Sequence, residues 1–287
     1  MAGLGLGSRR EIETWIAEGR IRVNGETAKL GDRVEPSDRV SVDGRAVHLA
    51  IGAPDRSRVL MYHKPVGEVC TRKDPEGRPS VFDRLPALRR GRWILVGRLD
   101  FNTSGLLLLT NEGDLAHRLM HPSSEIEREY AVRILGEVDE DMLKRMQEGV
   151  ELEDGQAAFD SVRDAGGTGA NHWYHIILRE GRRREVRRIW ESQGVRVSRL
   201  IRLRYGNISL PRGLADGRFR DLDEVELGEL MASVGMSPTV VEKQHRRQGA
   251  TYRPRTPEAK PGKKRVKGGS VNPRAAAGPK EGLRRPR

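Results

Sequence analysis

The sequence of 287 residues predicts an α+β fold: a small helix-plus-hairpin domain, a larger domain on a mixed, mainly antiparallel sheet with flanking helices, and a disordered basic tail. Three observations carry the prediction. Between residues 58 and 235, apolar runs and alternating stretches of strand length outnumber helical repeats, the balance expected of an antiparallel sheet carrying a few helices. Ahead of them, one helical repeat is followed by two alternating stretches, each closed by a tight-turn dipeptide. From residue 236 to the end the chain is rich in Pro, Gly, Lys and Arg and nearly free of large apolar residues. Such a segment cannot bury enough surface to offset its chain entropy.

The elements follow in order. Ser8-Arg9-Arg10-Glu11 has the form of a capping box, and Ile12, Trp15 and Ile16 then recur at helical spacing up to Gly19. Ile21 and Val23 alternate into the turn Asn24-Gly25, and RVSVDGRAV repeats the pattern around Asp43-Gly44. IGAPDRS, from Ile51 to Ser57, has no periodicity and reads as a linker. VLMYHK is a strand that breaks at Pro65, and Lys73–Pro79 is a loop. Trp93–Val96 and Leu106–Thr110 are apolar runs of buried-strand type. LAHRLM is a short helix ending near Pro122, Glu129–Ile134 alternates as a strand, and Asp139–Gly149 is helical. Trp173–Leu178 is a strand and Arg184–Ser192 a helix with apolar Val186, Ile189 and Trp190. Leu200–Leu203 and Gly206–Leu210 are further strands.

Composition narrows the function classes. The formal net charge is +12, but residues 241–287 hold 15 Lys and Arg against 3 Asp and Glu, leaving 38 of each sign in the rest. The excess belongs to the tail, which suits either loose, salt-sensitive contact with phosphates or plain solubility. No apolar run approaches the roughly 18–20 residues of a membrane span, and the first residues lack a signal-peptide pattern. Cys70 is the single cysteine, so no intrachain disulfide can form. A soluble, cytoplasmic protein with no membrane partner is expected.

One stretch asks for chemistry. Gly97–Thr110 reads GRLDFNTSGLLLLT, a lone carboxylate, Asp100, one short loop ahead of four leucines that must be buried. A carboxylate at the edge of a core suggests a site rather than a surface charge. HKPVG (His63–Gly67), the run Gly97–Pro122, EREYAVRI (Glu127–Ile134) and the block from Glu180 to Leu214 stand in order around it. Together they resemble the pseudouridine synthases of the RsuA/RluB group, over nearly all of residues 58–227. The amino-terminal stretch GSRREIETWIAEGRIRVNGETAKLGDRV resembles the alpha-L RNA-binding domain named after a small-subunit ribosomal protein. Over residues 1–50 it is shorter at its start than that domain's pattern.

The resemblance implies a catalytic domain over 58–235 that isomerises a specific uridine of large-subunit (23S) ribosomal RNA. The bond from base to anomeric carbon breaks, the base turns, and carbon 5 joins the same sugar carbon. Nothing is oxidised and no group leaves, so neither cofactor nor metal is expected. An aspartate serves this reaction as nucleophile on the anomeric carbon or as base at the neighbouring sugar carbon. Asp100 matches the family's essential aspartate, Arg187 the arginine that pairs with it, and Tyr130 the tyrosine that stacks on the flipped base and takes part in the final proton removal. Arg98 falls where related enzymes fill the gap left by an extruded base. Lys64 and Arg184 are candidates for phosphate contact, and Arg9, Arg10 and Arg22 for RNA contact by the small domain. The protein is expected to act as a monomer. A non-catalytic ribosome-assembly protein, the competing reading, would be expected to lack Asp100 or Arg187; both are present.

Overall fold

The computed structural model describes residues 6–35, 37–47, 56–89, 91–168 and 171–237. The start of the chain, most of the linker and the basic tail from residue 238 onward lie outside the described residues.

The small domain opens with α1 (Arg9–Ala17), whose capping box forms as the sequence predicts. The Ser8 hydroxyl accepts from the Glu11 N–H at 3.1 Å and the Glu11 carboxylate accepts from the Ser8 N–H at 2.8 Å. Strands β1 (Ile21–Val23), β2 (Glu26–Thr27), β3 (Val40–Val42) and β4 (Arg45–Val47) form an antiparallel sheet in the order β2-β1-β3-β4. Both turn dipeptides have positive φ at both positions, the geometry their sequences favour. Ile12, Ile21, Ala28 and Val40 make the core.

The large domain runs β5 (Val59–Lys64), β6 (Ile94–Val96), β7 (Ser104–Thr110), α2 (Gly113–Met120), β8 (Arg128–Leu135), α3 (Glu140–Glu148), β9 (Val150–Leu152), β10 (Gly155–Ala157), β11 (Ser161–Thr168), β12 (Asn171–Leu178), α4 (Glu185–Glu191), β13 (Arg196–Tyr205), β14 (Ile208–Ser209), β15 (Phe219–Asp221) and α5 (Glu224–Ala232). Its main sheet has the order β11-β12-β8-β13-β7-β5-β15, with β14 added to β13 and β6 to β7. Every pairing in it is antiparallel except one: β13 lies parallel to β7, with Ile201 opposite Ser104.

All seven residues of β7 are buried, because both sheet faces are covered there. Leu107 and Leu109 enter a cluster with Tyr174 and Trp190. Leu106 and Leu108 face the opposite way, onto Leu115 and Leu119 of α2 and Leu230 and Met231 of α5. Each fully buried leucine contributes about 1.5–3 kcal/mol, so this strand fixes the loop before it firmly. Gly105 makes the parallel junction possible. Its φ is +109°, and a Cβ there would lie 2.3 Å from the Arg202 carbonyl oxygen.

Four strands and a helix go beyond the sequence reading. β11 reads SVRDAGGT and carries a bulge between Asp164 and Gly167, so it lacks an alternating apolar pattern. β9 and β10 form a separate short hairpin. β15 is a three-residue edge strand, and α5 carries its own capping box from Asp223 to Glu226. Among the described residues no helix is long and apolar enough to cross a membrane.

Candidate active site

The loop that carries Asp100 is a tight turn. The Thr103 N–H donates to the Asp100 carbonyl at 3.0 Å, and β7 begins at the next residue. Two buried cations hold the turn by its backbone. The Lys64 ammonium donates to the Thr103 carbonyl and to the Pro65 carbonyl, both at 2.9 Å. The Arg187 guanidinium donates through Nη2 to the Asn102 carbonyl and through Nη1 to the Val197 carbonyl, both at 2.9 Å. Successive carbonyls of the turn are thereby pinned from opposite sides, one from β5 and one from α4.

Two expectations are corrected by this geometry. Lys64 is 0% exposed and cannot reach a phosphate; its strand is covered on both faces, so the ammonium turns inward beneath the Asp100 turn. Arg187 does not form an ion pair with Asp100 among the described residues; its two terminal nitrogens donate to carbonyls instead. The two charges still act on each other through space. Burial pushes the Arg187 guanidinium below its ordinary value, Arg184 adds to that, and the Asp100 charge opposes it. Burial likewise pushes the Lys64 ammonium down, opposed by Cys70, Glu68 and Asp100.

Asp100 is half-buried at the edge of a cleft of about 1480 Å³. Tyr130, on β8, is 9% exposed and lines the same cleft, with Leu178 and Leu200 on neighbouring strands. Arg98 lines it too, is exposed, and makes no hydrogen bond or ion pair among the described residues. Arg184 also lines the cleft but is ion-paired with Glu191 at 3.2 Å. Arg9, Arg10 and Arg22 are exposed on the small domain, whereas the nearby Arg20 is locked onto Asp43 by two hydrogen bonds of 2.7 and 2.6 Å.

Of the cleft arginines not singled out from sequence, three contrast in how they are held. Arg202 is 2% exposed on β13, and its Nε donates to the Leu106 carbonyl at 2.7 Å. Arg183 is exposed on the rim without a partner among the described residues. Arg182 ties the cleft wall to the β9–β10 hairpin through the Gly155 and Gln156 carbonyls. The RRRE run signals a basic surface, but only the fold separates the free guanidinium from the spent ones. No three or more His, Cys, Asp or Glu side chains among the described residues converge on a metal-sized site.

Residues 58–192, which span the Asp100 turn, Tyr130 and Arg187, match the family model for RNA pseudouridylate synthase. Over 93% of its length the chain is 53% identical to 72% of ribosomal large subunit pseudouridine synthase B of Pseudomonas aeruginosa. The chain belongs to the RNA pseudouridylate synthase family. The synthase is also 55% identical, over 87% of this chain and 88% of the relative, to ribosomal large subunit pseudouridine synthase B of Escherichia coli. A crystal structure of a pseudouridylate synthase superposes with a TM-score of 0.57 at 25% identity, covering 79% of this chain and 95% of that one. Residues 1–40 match the S4 domain model, so the synthase joins an RNA-binding module to an isomerase domain.

Proposed function

We propose that the synthase isomerises one uridine of large-subunit ribosomal RNA to pseudouridine, in the cytoplasm and as a single chain, with Asp100 carrying the chemistry. The observation that carries the reading is the Asp100 turn. Its backbone is pinned by two buried cations while its carboxylate faces an arginine-lined cleft shared with Tyr130. The relatives' shared name supports the large-subunit substrate.

The reaction needs an ionised carboxylate held at a fixed place beside the ribose. The pinned turn supplies the place, with the Arg187 and Lys64 side chains holding its backbone from below. Tyr130 offers a ring for the extruded base, a contact of roughly 1–3 kcal/mol by analogy with other base-stacking sites, and stands ready for the proton lost from carbon 5. Arg98, free at the rim, fills the space the base vacates. Arg184 meets a phosphate by exchanging its Glu191 partner. Arg9, Arg10 and Arg22 hold RNA on the small domain, residues 1–50, and the tail from 236 to 287 adds salt-sensitive attraction.

The test is Asp100→Asn, which keeps shape and removes charge. It abolishes pseudouridine formation while RNA binding persists; a variant that still modifies RNA at the normal rate rejects Asp100. Mapping pseudouridines in ribosomal RNA of cells lacking the protein tests the substrate, and loss of a small-subunit position alone rejects it.

A further inference from the structure

Few buried side-chain polar atoms lack a partner among the described residues: Thr103 Oγ1, Arg187 Nε, Arg188 Nε, Trp190 Nε1 and Arg202 Nη2. Three of these five belong to residues in, or packed on, the segment from Asp100 to Gly105. Thr103 closes the Asp100 turn, Arg187 holds Asn102, and the backbone of Arg202 lies against Gly105. One of these unused donors, the Thr103 hydroxyl, belongs to the segment itself. Its one strong acceptor without a hydrogen bond from any described residue is the Asp100 carboxylate.

Thr103 is the informative member of the three. It is 1% exposed, it lines the same cleft as Asp100, and its N–H already donates to the Asp100 carbonyl. Its own carbonyl is fixed by Lys64, so its backbone cannot drift. Only the side chain is left to turn. A buried hydroxyl without a partner is a net cost to the fold, and valine would fill the same shape without it. Packing alone therefore gives no reason for a hydroxyl here.

We propose that Thr103 is a positioning residue for the catalytic carboxylate: its hydroxyl is reserved to donate to Asp100 as that side chain turns to meet the ribose. The inference rests on the catalytic reading of Asp100. It explains how a carboxylate with no fixed side-chain partner reaches one orientation during the reaction. A turn places its first and fourth residues side by side, which is the relation of Asp100 to Thr103. A hydrogen bond to a charged group is stronger than one between neutral groups, so one donor suffices to set the carboxylate's rotation.

The test compares Thr103→Val, Thr103→Ser and Thr103→Ala in the full-length protein. The readout is tritium release from carbon 5 of labelled uridine in large-subunit ribosomal RNA transcribed in vitro, under single turnover. Thr103→Val folds with an unchanged or higher melting temperature, binds the RNA with unchanged affinity, and reacts about tenfold to a hundredfold more slowly, the size of one such bond. Thr103→Ser recovers most of the rate, and Thr103→Ala is as slow as Thr103→Val even where its stability falls. A Thr103→Val enzyme reacting at the wild-type rate overturns the proposal, as does a Thr103→Ser enzyme no faster than Thr103→Val. Asp100→Asn is run beside them. If it is active, the catalytic reading fails and this one with it; if it is inactive while Thr103→Val is normal, only the positioning role falls.

Discussion

Gly105→Ala tests the junction on which the Asp100 turn rests. The added Cβ would lie 2.3 Å from the Arg202 carbonyl oxygen, 2.5 Å from its nitrogen and 2.9 Å from its carbonyl carbon, all backbone atoms that cannot swing aside. The residue's φ of +109° is closed to alanine as well. Backbone strain of this kind costs about 1–3 kcal/mol, and overpacking a well-filled core about 1–3 kcal/mol more. The expected loss is therefore about 4 kcal/mol, a large part of a stability of roughly 5–15 kcal/mol. At about 2–4 °C per kcal/mol for a domain of this size, the melting temperature falls by about 8–16 °C. Gly194→Ala is the control. Its φ is +81° and nothing lies within 4 Å of the added Cβ, so it meets the strain without the collision. Chemical denaturation of both variants gives the difference directly. If Gly105→Ala loses no more than Gly194→Ala, the close approach of β7 to β13 is not what the glycine serves, and the reasoning fails.

Three further outcomes are expected. Arg187→Lys keeps the charge but cannot hold the Asn102 and Val197 carbonyls with a fixed fork; its single-turnover rate falls at least tenfold with RNA affinity retained, and an unimpaired enzyme would show that charge alone is needed. Glu185, 4% exposed, has its carboxyl pushed up to about 6 mainly by burial. The folded state then keeps a proton that the unfolded chain loses between about pH 4.5 and 6, so this group lowers stability as pH rises through that window. Glu185→Gln is therefore more stable than wild type by about 2 kcal/mol at pH 7.5, a gain that shrinks at pH 5; denaturant midpoints at the two pH values that move in parallel would refute it. Arg98→Ala and Arg183→Ala each remove a cleft guanidinium without an internal partner, so each reduces the salt dependence of RNA binding by about one unit of slope, read from titrations across a salt series.

The sequence made the strongly patterned elements legible. Asp139 and Gly149 bracket α3 as its N-cap and C-cap residues, and the four leucines of β7 could only be core. β11 stayed hidden because its Gly-Gly pair and bulge erase the two-residue period, and its place comes from pairing with β12. The β9–β10 hairpin turns at Glu153-Asp154 with only three residues a side, too few to stand out. In the site, residue types were readable and directions were not. A strand buried on both faces, such as β5, gives no cue that Lys64 points inward. Nor does a run of arginines tell which guanidinium will be spent on carbonyls 10 and 85 residues away. Those partners exist only once the chain has closed.

The lone parallel contact between β7 and β13 also sets an order of events during synthesis. The acid's turn emerges from the ribosome first, but Arg202, bound to the Leu106 carbonyl, follows 96 residues later. Until that late strand arrives, the early half has no brace on this side and no opposite wall for its cleft. A nascent or prematurely terminated product ending before Arg196 therefore holds the Asp100 turn without this brace.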